Sequence, residues 1–211
     1  MSGDKRGAGR ADLLAHRVAL AALPGLGPAR LGDLVAAFGD VATAWEAIVR
    51  GRVKSSTFAS WVRPSIIAEW QTQACGIDPA SLLVSIRTAG VEALGPDDVA
   101  WPPAFAVDPD PPAVLFVRGD AALLADPDTP AVAIVGPRRA TALGRAVARD
   151  LGRDLTDAGV AVVSGLALGI DGAAHAGVLD AGGRPIGVVA TGLDAVYPPR
   201  HRRLWDDVAA A

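Results

Sequence analysis

Two short runs in this chain hold the residue types that bind anions, GPRRAT at 136–141 and SGLALGID at 164–171. In the first, Gly136 lets backbone approach a ligand closely, Arg138 and Arg139 supply two guanidinium groups, and Thr141 is placed to cap a following helix. This combination makes a phosphate cradle. It is neither a Walker A loop, since GxxxxGK[ST] is absent, nor the GxGxxG dinucleotide fingerprint, so the usual ATP and NAD readings are disfavoured and no cofactor is expected. In the second run, Gly165, Gly169 and Gly172 surround a strand-to-helix turn, Ser164 offers a hydroxyl, and backbone amides are available at the helix start. That arrangement suits a phosphate or a sugar. Asp171 near the helix N-terminus complements the helix dipole and can cap free amides. It also stands four residues before His175 on one helical face, the spacing of an acid–base pair. Capping and packing account for both residues without any reaction. A third run, TGLDAVYPPR at 191–200, combines Gly192, Asp194, Tyr197 and the Pro198–Pro199 pair into a rigid, shaped turn. Tyr197 either stacks on a nucleic-acid base or packs beneath its loop as an anchor, and the proline that follows directly favours the anchor.

The elements that must position these loops alternate from Ala131 onward. AVAIV (131–135) precedes a helix over about 141–158. VAVV (160–163) precedes another over about 170–181, and PIGVVA (185–190) is followed by a loop and a final helix from about Arg200. Short strands apolar on both faces, alternating with helices, predict a Rossmann-like parallel α/β sheet with helices on both faces and right-handed crossovers. In such a sheet ligands bind beyond the carboxyl ends of the strands, where all three loops fall. Only three strand–helix units are visible against the five or six strands common to the class, so the domain reads as incomplete at its C-terminus.

Upstream, residues 1–10 read as a disordered N-terminus and 11–90 as a small helical domain. The helical pattern runs from Leu13 to about Gln73 and is broken by LPGLGPARL at 23–31, where Pro28 suits the first turn of a second helix. Leu13, Leu14, Val18, Leu31, Leu34, Val35 and Phe38 recur at helical spacing on either side of the break. Helices joined by a glycine hairpin are similar to a helix-hairpin-helix unit, whose amides hold phosphate; a tight helix–helix turn at Gly25 and Gly27 is the simpler reading. A further helix is expected over about 79–89. Residues 91–130 read as an extension and linker that includes a short buried strand within AVLFVRGD (113–120), and 131–211 as the Rossmann-like domain.

Composition bounds the functional classes. Of 211 residues, 51% are apolar and 20% charged, which argues against disorder beyond the termini. No run approaches the length of a membrane span and the N-terminus lacks an apolar signal core, so a cytoplasmic protein is expected. Cys75 excludes an internal disulfide and reads as an inert packing residue. With His16, His175 and His201 scattered, no ordinary structural zinc site is expected. The net charge of −3 repels a polyanion unless cations are concentrated locally. Arg138 and Arg139 form one such concentration, and Arg200, Arg202 and Arg203 with His201 form another; each is read either as a solvated surface or as an anion site.

The ordered set GPRRATALG, SGLALGIDGAAH, AGGRPIGVVATGLD and YPPRHRRL resembles the DNA-processing protein A (DprA/Smf) family over roughly 131–204. WPPAF (101–105) and DPPAVLFVRGD (110–120) are similar to that family's lead-in, and the N-terminal helices to its sterile-alpha-motif-like domain. The resemblance implies a non-catalytic protein of natural transformation and recombination that protects incoming single-stranded DNA and helps load the recombinase RecA, with homodimerisation. It implies that Gly136 and Arg138 belong to a phosphate-meeting loop, that Ser164, Gly165, Gly169 and Asp171 match a second motif, and that Gly192, Asp194 and Tyr197 match a third. Two departures bear on grip. Pro137 stands where the family usually has Ser, and Leu168 where Arg is frequent. The downstream half of the family's Rossmann domain has no counterpart in these residues, as expected of a fragment or a shortened relative. The rival readings are a nucleotide-processing enzyme of phosphoribohydrolase type and a degenerate interaction scaffold.

Overall fold

The computed structural model describes residues 4–54, 57–58 and 62–211, and divides into two compact units, Met1–Phe116 and Val117–Ala211. The division falls inside the stretch read from sequence as a linker.

The first unit is helical: α1 (Asp4–Ala21), α2 (Pro28–Phe38), α3 (Val41–Val49), α4 (Pro64–Ala74) and α5 (Pro79–Thr88), followed by the short strand β1 (Glu92–Leu94). Start signals explain the boundaries. Pro28, Pro64 and Pro79 each stand in a first helical turn, where a missing amide costs nothing. Asp40 caps α3 by accepting the Thr43 amide at 2.8 Å, and Asp78 caps α5 by accepting that of Ser81. Helix α1 begins at Asp4, within the stretch expected to be disordered, and the first buried residue among its described side chains is Leu14. Leu20, Leu31, Leu34, Ile48 and Trp70 are fully buried in one cluster. The Trp70 indole donates to the Pro24 carbonyl at 2.8 Å and so pins the turn between α1 and α2. Gly25 takes a φ of +66° there, the tight-turn role. Leu13, one of the apolar residues at helical spacing, is 41% exposed, and Cys75, expected to pack, is exposed beyond the end of α4.

Strand β2 (Leu115–Val117) pairs with β1 and straddles the boundary. It was expected to be buried, but in a two-stranded sheet a strand lacks a second neighbour, and Phe116 stays 42% exposed.

The second unit is a three-stranded parallel sheet of order β3–β4–β5: β3 (Ala131–Ala133), β4 (Ala161–Ser164) and β5 (Ile186–Gly187). Val132 pairs with Val162 and Val163 with Ile186. Helix α6 (Ala142–Asp157) connects β3 to β4, α7 (Ile170–Asp180) connects β4 to β5, and α8 (Arg202–Ala210) closes the unit. The core is small, built on Ile134, Val162, Ala174 and Val178. Central β4 buries Val162 fully. All three residues of β3 are exposed, since it forms an edge of the described sheet. Helices α6 and α7 meet backbone to backbone: a Cβ at Gly177 would collide with the Arg149 carbonyl oxygen, and one at Gly152 with that of Ala174. Small residues there bring the helices close enough to hold adjacent loops in register. Among the described residues no helix is long and apolar enough to cross a membrane, and no cluster suits a metal ion.

Candidate nucleic-acid interface

All three loops named from sequence leave the carboxyl ends of the parallel strands, and the first two interlock. A Cβ at Gly136 would lie 2.5 Å from Ile170 Cγ1, so the chain leaves β3 pressed against the start of α7. Gly169, at φ +88°, faces the Pro137 and Arg138 carbonyls so closely that a Cβ would strike the Pro137 oxygen. Both its conformation and its space exclude a side chain. Thr141 caps α6, its hydroxyl oxygen accepting the Gly144 amide at 3.0 Å. Arg145 donates to the Ala140 carbonyl at 2.5 Å, which ties the first loop to the helix it precedes.

Several predicted binding residues turn out to be the frame beneath the surface. Ser164 is 3% exposed and its hydroxyl donates to the Ile134 carbonyl at 2.5 Å, stapling the ends of β4 and β3 together. Asp171 is buried and its Oδ2 accepts the Gly165 amide at 3.2 Å, closing the second loop back on α7. His175 is fully buried, and neither ring nitrogen has a hydrogen-bond partner among the described residues. Burial pushes its pKa down to about 4, against weaker opposing influences from the Ser164 backbone and the Asp171 charge. The ring is therefore neutral at pH 7. The acid–base spacing seen in the sequence exists, but both residues lie below the surface.

The third loop contributes differently. Gly192 turns beside the Asp194 carboxylate, and the Ala195 amide donates back to the Gly192 carbonyl at 3.1 Å. Tyr197 is 53% exposed, which corrects its expected role as an anchor packed under the loop. The Arg138 guanidinium lies over its ring, 5.9 Å from the ring centroid. That contact joins the first and third loops.

Beside these loops an open groove of about 530 Å³ is lined by Arg138, Arg145, Arg149, Leu168, Gly169 and His201. Of the residues singled out from sequence as DNA-binding, Arg138 and Gly169 line it. Gly136, Arg139 and Thr141 belong to the same loop as Arg138, and Gly192 and Tyr197 stand on the third. Arg145 and Arg149 were missed. Their signal was present as an i, i+4 pair of cations in the first half of α6, one turn apart on the face that begins at the first loop. Arg149 is partly neutralised, since it donates to Asp180 at 2.7 Å. His201 was noted only as part of a basic cluster; its Nδ1 lies 2.9 Å from the Leu166 carbonyl.

The profile of the DNA recombination-mediator protein A family matches residues 92–211, more than half of the chain and all of the loops just described. The chain belongs to that family. Among relatives of the DNA recombination-mediator family, the protein Smf of Synechocystis is 34% identical over 199 residues, covering 93% of this chain and 48% of that protein. The DNA processing protein DprA of Bacillus subtilis is 38% identical over 128 residues, covering 61% of this chain and 42% of that protein. The chain thus spans about half the length of the curated relatives it matches. The X-ray structure of DprA from Streptococcus pneumoniae superposes with a TM-score of 0.60 at 29% identity, over 79% of this chain and 59% of that one. The Rossmann-like fold expected from the strand–helix rhythm is thereby shown, as is the DprA/Smf family.

Proposed function

We propose that this chain binds single-stranded DNA during transformation and recombination, holding phosphates in the groove beside the first loop and α7. The observation that carries the reading is the groove lining itself. Arg138 and Arg145 converge with His201 beside the Gly169 turn at the start of α7, so two guanidinium cations and an imidazole face one groove. Family membership and the likeness to the pneumococcal DprA support it. Tyr197, exposed and next to Arg138, offers a ring face to a base, which a single strand presents and a duplex does not.

The protein acts without catalysis on this reading. Asp171 and His175, the pair best spaced for acid–base chemistry, are respectively clasped to a backbone amide and sealed in the core. RecA loading and homodimerisation are the further partners the family membership suggests.

Fluorescence anisotropy with labelled oligo-dT and a matched duplex, at several salt concentrations, tests the proposal. Tighter binding of the single strand is expected, with a steep loss of affinity as salt rises. A folded sample that binds neither at low salt overturns it. For the protein partner, a pull-down of RecA with and without DNA decides.

A further inference from the structure

We propose that His201 is a phosphate-contacting residue of the groove and that it takes up a proton when DNA binds. The inference deepens the reading of the groove as a DNA site and rests on it.

The geometry fixes which nitrogen carries hydrogen. Nδ1 lies 2.9 Å from the Leu166 carbonyl oxygen. A carbonyl only accepts, so Nδ1 must be the donor and the neutral ring is the Nδ1–H tautomer. That leaves Nε2 as a bare lone pair. Among the described residues Nε2 has no hydrogen-bond partner and is not one of the buried unpartnered atoms, while the ring lines the groove. It is therefore open to a ligand.

A phosphodiester oxygen also offers only lone pairs. Two acceptors cannot share a hydrogen bond, so phosphate at Nε2 requires a second proton on the ring. One N–H bond forms at Nε2, with the proton drawn from solvent, and the imidazolium then donates from both nitrogens, to Leu166 and to the phosphate. Turning the ring would give up the hydrogen bond to the Leu166 carbonyl. The ring packs on the first turn of α7, where a Cβ at Gly172 would collide with His201 Cε1.

The surrounding charges give the coupling its sign. Around the groove stand Arg138, Arg145 and Arg149, the last offset by Asp180. On α7 behind it are Asp171, bound to the Gly165 amide, and His175, neutral and buried. On its own segment and α8 are Arg200, Arg202, Arg203 and Asp206, with Asp207 near Arg203. A phosphate at Nε2 brings negative charge and an acceptor that only the doubly protonated ring can meet. Protonation and binding therefore reinforce each other.

The test uses the whole chain and a dT20 oligonucleotide at constant ionic strength. Affinity should rise as pH falls from 8 to 6, by at most tenfold per pH unit for one proton. Neither phosphodiesters nor thymine titrate in that window. Calorimetry in two buffers of unlike ionisation enthalpy should record net proton uptake near pH 7.5. His201→Asn keeps an amide for Leu166 and removes the titrating nitrogen, so its uptake and pH slope should vanish. His201→Gln places a ready donor near the phosphate, so it should bind with a flat pH profile. Thermal melts verify that both variants are folded. Wild-type binding with no proton uptake overturns the proposal without recourse to any variant. So does an unchanged pH slope in folded His201→Asn. Failure to bind at every pH and at low salt overturns the DNA reading itself, and this inference with it.

Discussion

The two units of this chain, each taken by itself, solve packing in opposite ways. The helical unit is held by large side chains: Trp70, Leu20, Leu31, Leu34 and Ile48 fill one cluster, and a tryptophan pins its turn. In the α/β unit a few medium-sized residues form the core, and the closest contacts are made by glycines. The lesson is that bulk suffices to stabilise a bundle, whereas holding loops in register around a ligand needs backbones brought together with nothing between them.

The sharpest way to break that contrast is to add one methyl group to each unit. Gly177→Ala drives a Cβ into the Arg149 carbonyl, and separating α6 from α7 should cost about 3 kcal/mol or more, read as a fall in the urea midpoint and loss of the groove. Gly32→Ala, in the interior of α2 with open space around it, should instead stabilise by about 0.5–1 kcal/mol. Should both variants melt alike, the contrast fails.

His175 provides the next test, again confined to the α/β unit. Its pKa is depressed in the folded state to about 4, so the unfolded chain binds the extra proton first. Its contribution is complete above the ordinary imidazole value near 6.5 and is lost as pH falls toward 4, about 3 kcal/mol at most. Denaturation at pH 7 and 4.5 should show this loss, and His175→Leu should reduce it. Equal losses in both proteins would assign the acid sensitivity elsewhere.

Binding effects are smaller. Arg138→Ala removes a groove cation and the partner of Tyr197. Affinity for oligo-dT should fall about fivefold to tenfold, and the salt slope should flatten by about one charge. Tyr197→Ala should cost about threefold or more through the lost ring face and its cation–π contact with Arg138, with Tyr197→Phe close to wild type. If Tyr197→Phe is as weak as Tyr197→Ala, the hydroxyl rather than the ring face is what matters.

These outcomes map onto what was legible in the chain. Thr141 and Ala158 bracket α6 as expected, and Ile170 begins α7 as expected, because caps, glycines and apolar period are local signals. The three loops were legible as loops for the same reason. Their division of labour was not. Ser164 and Asp171 look identical in sequence to exposed ligands, and only their partners, Ile134 and Gly165, make them struts. Arg145 and Arg149 were missed, and His201 was read only within a basic cluster, because nothing local brings residues 138, 149 and 201 to one groove.

The sequence by itself determined the order and kind of the elements, the three loops, and the family pattern they carry, since each depends on residues within a few positions of one another. Tertiary structure alone decided which of those residues face solvent. Tyr197 stands exposed with Arg138, far away in sequence, over its ring, and His175 became neutral because its surroundings exclude water. Burial and electrostatic environment are sums over neighbours in space, and no spacing along the chain contains them.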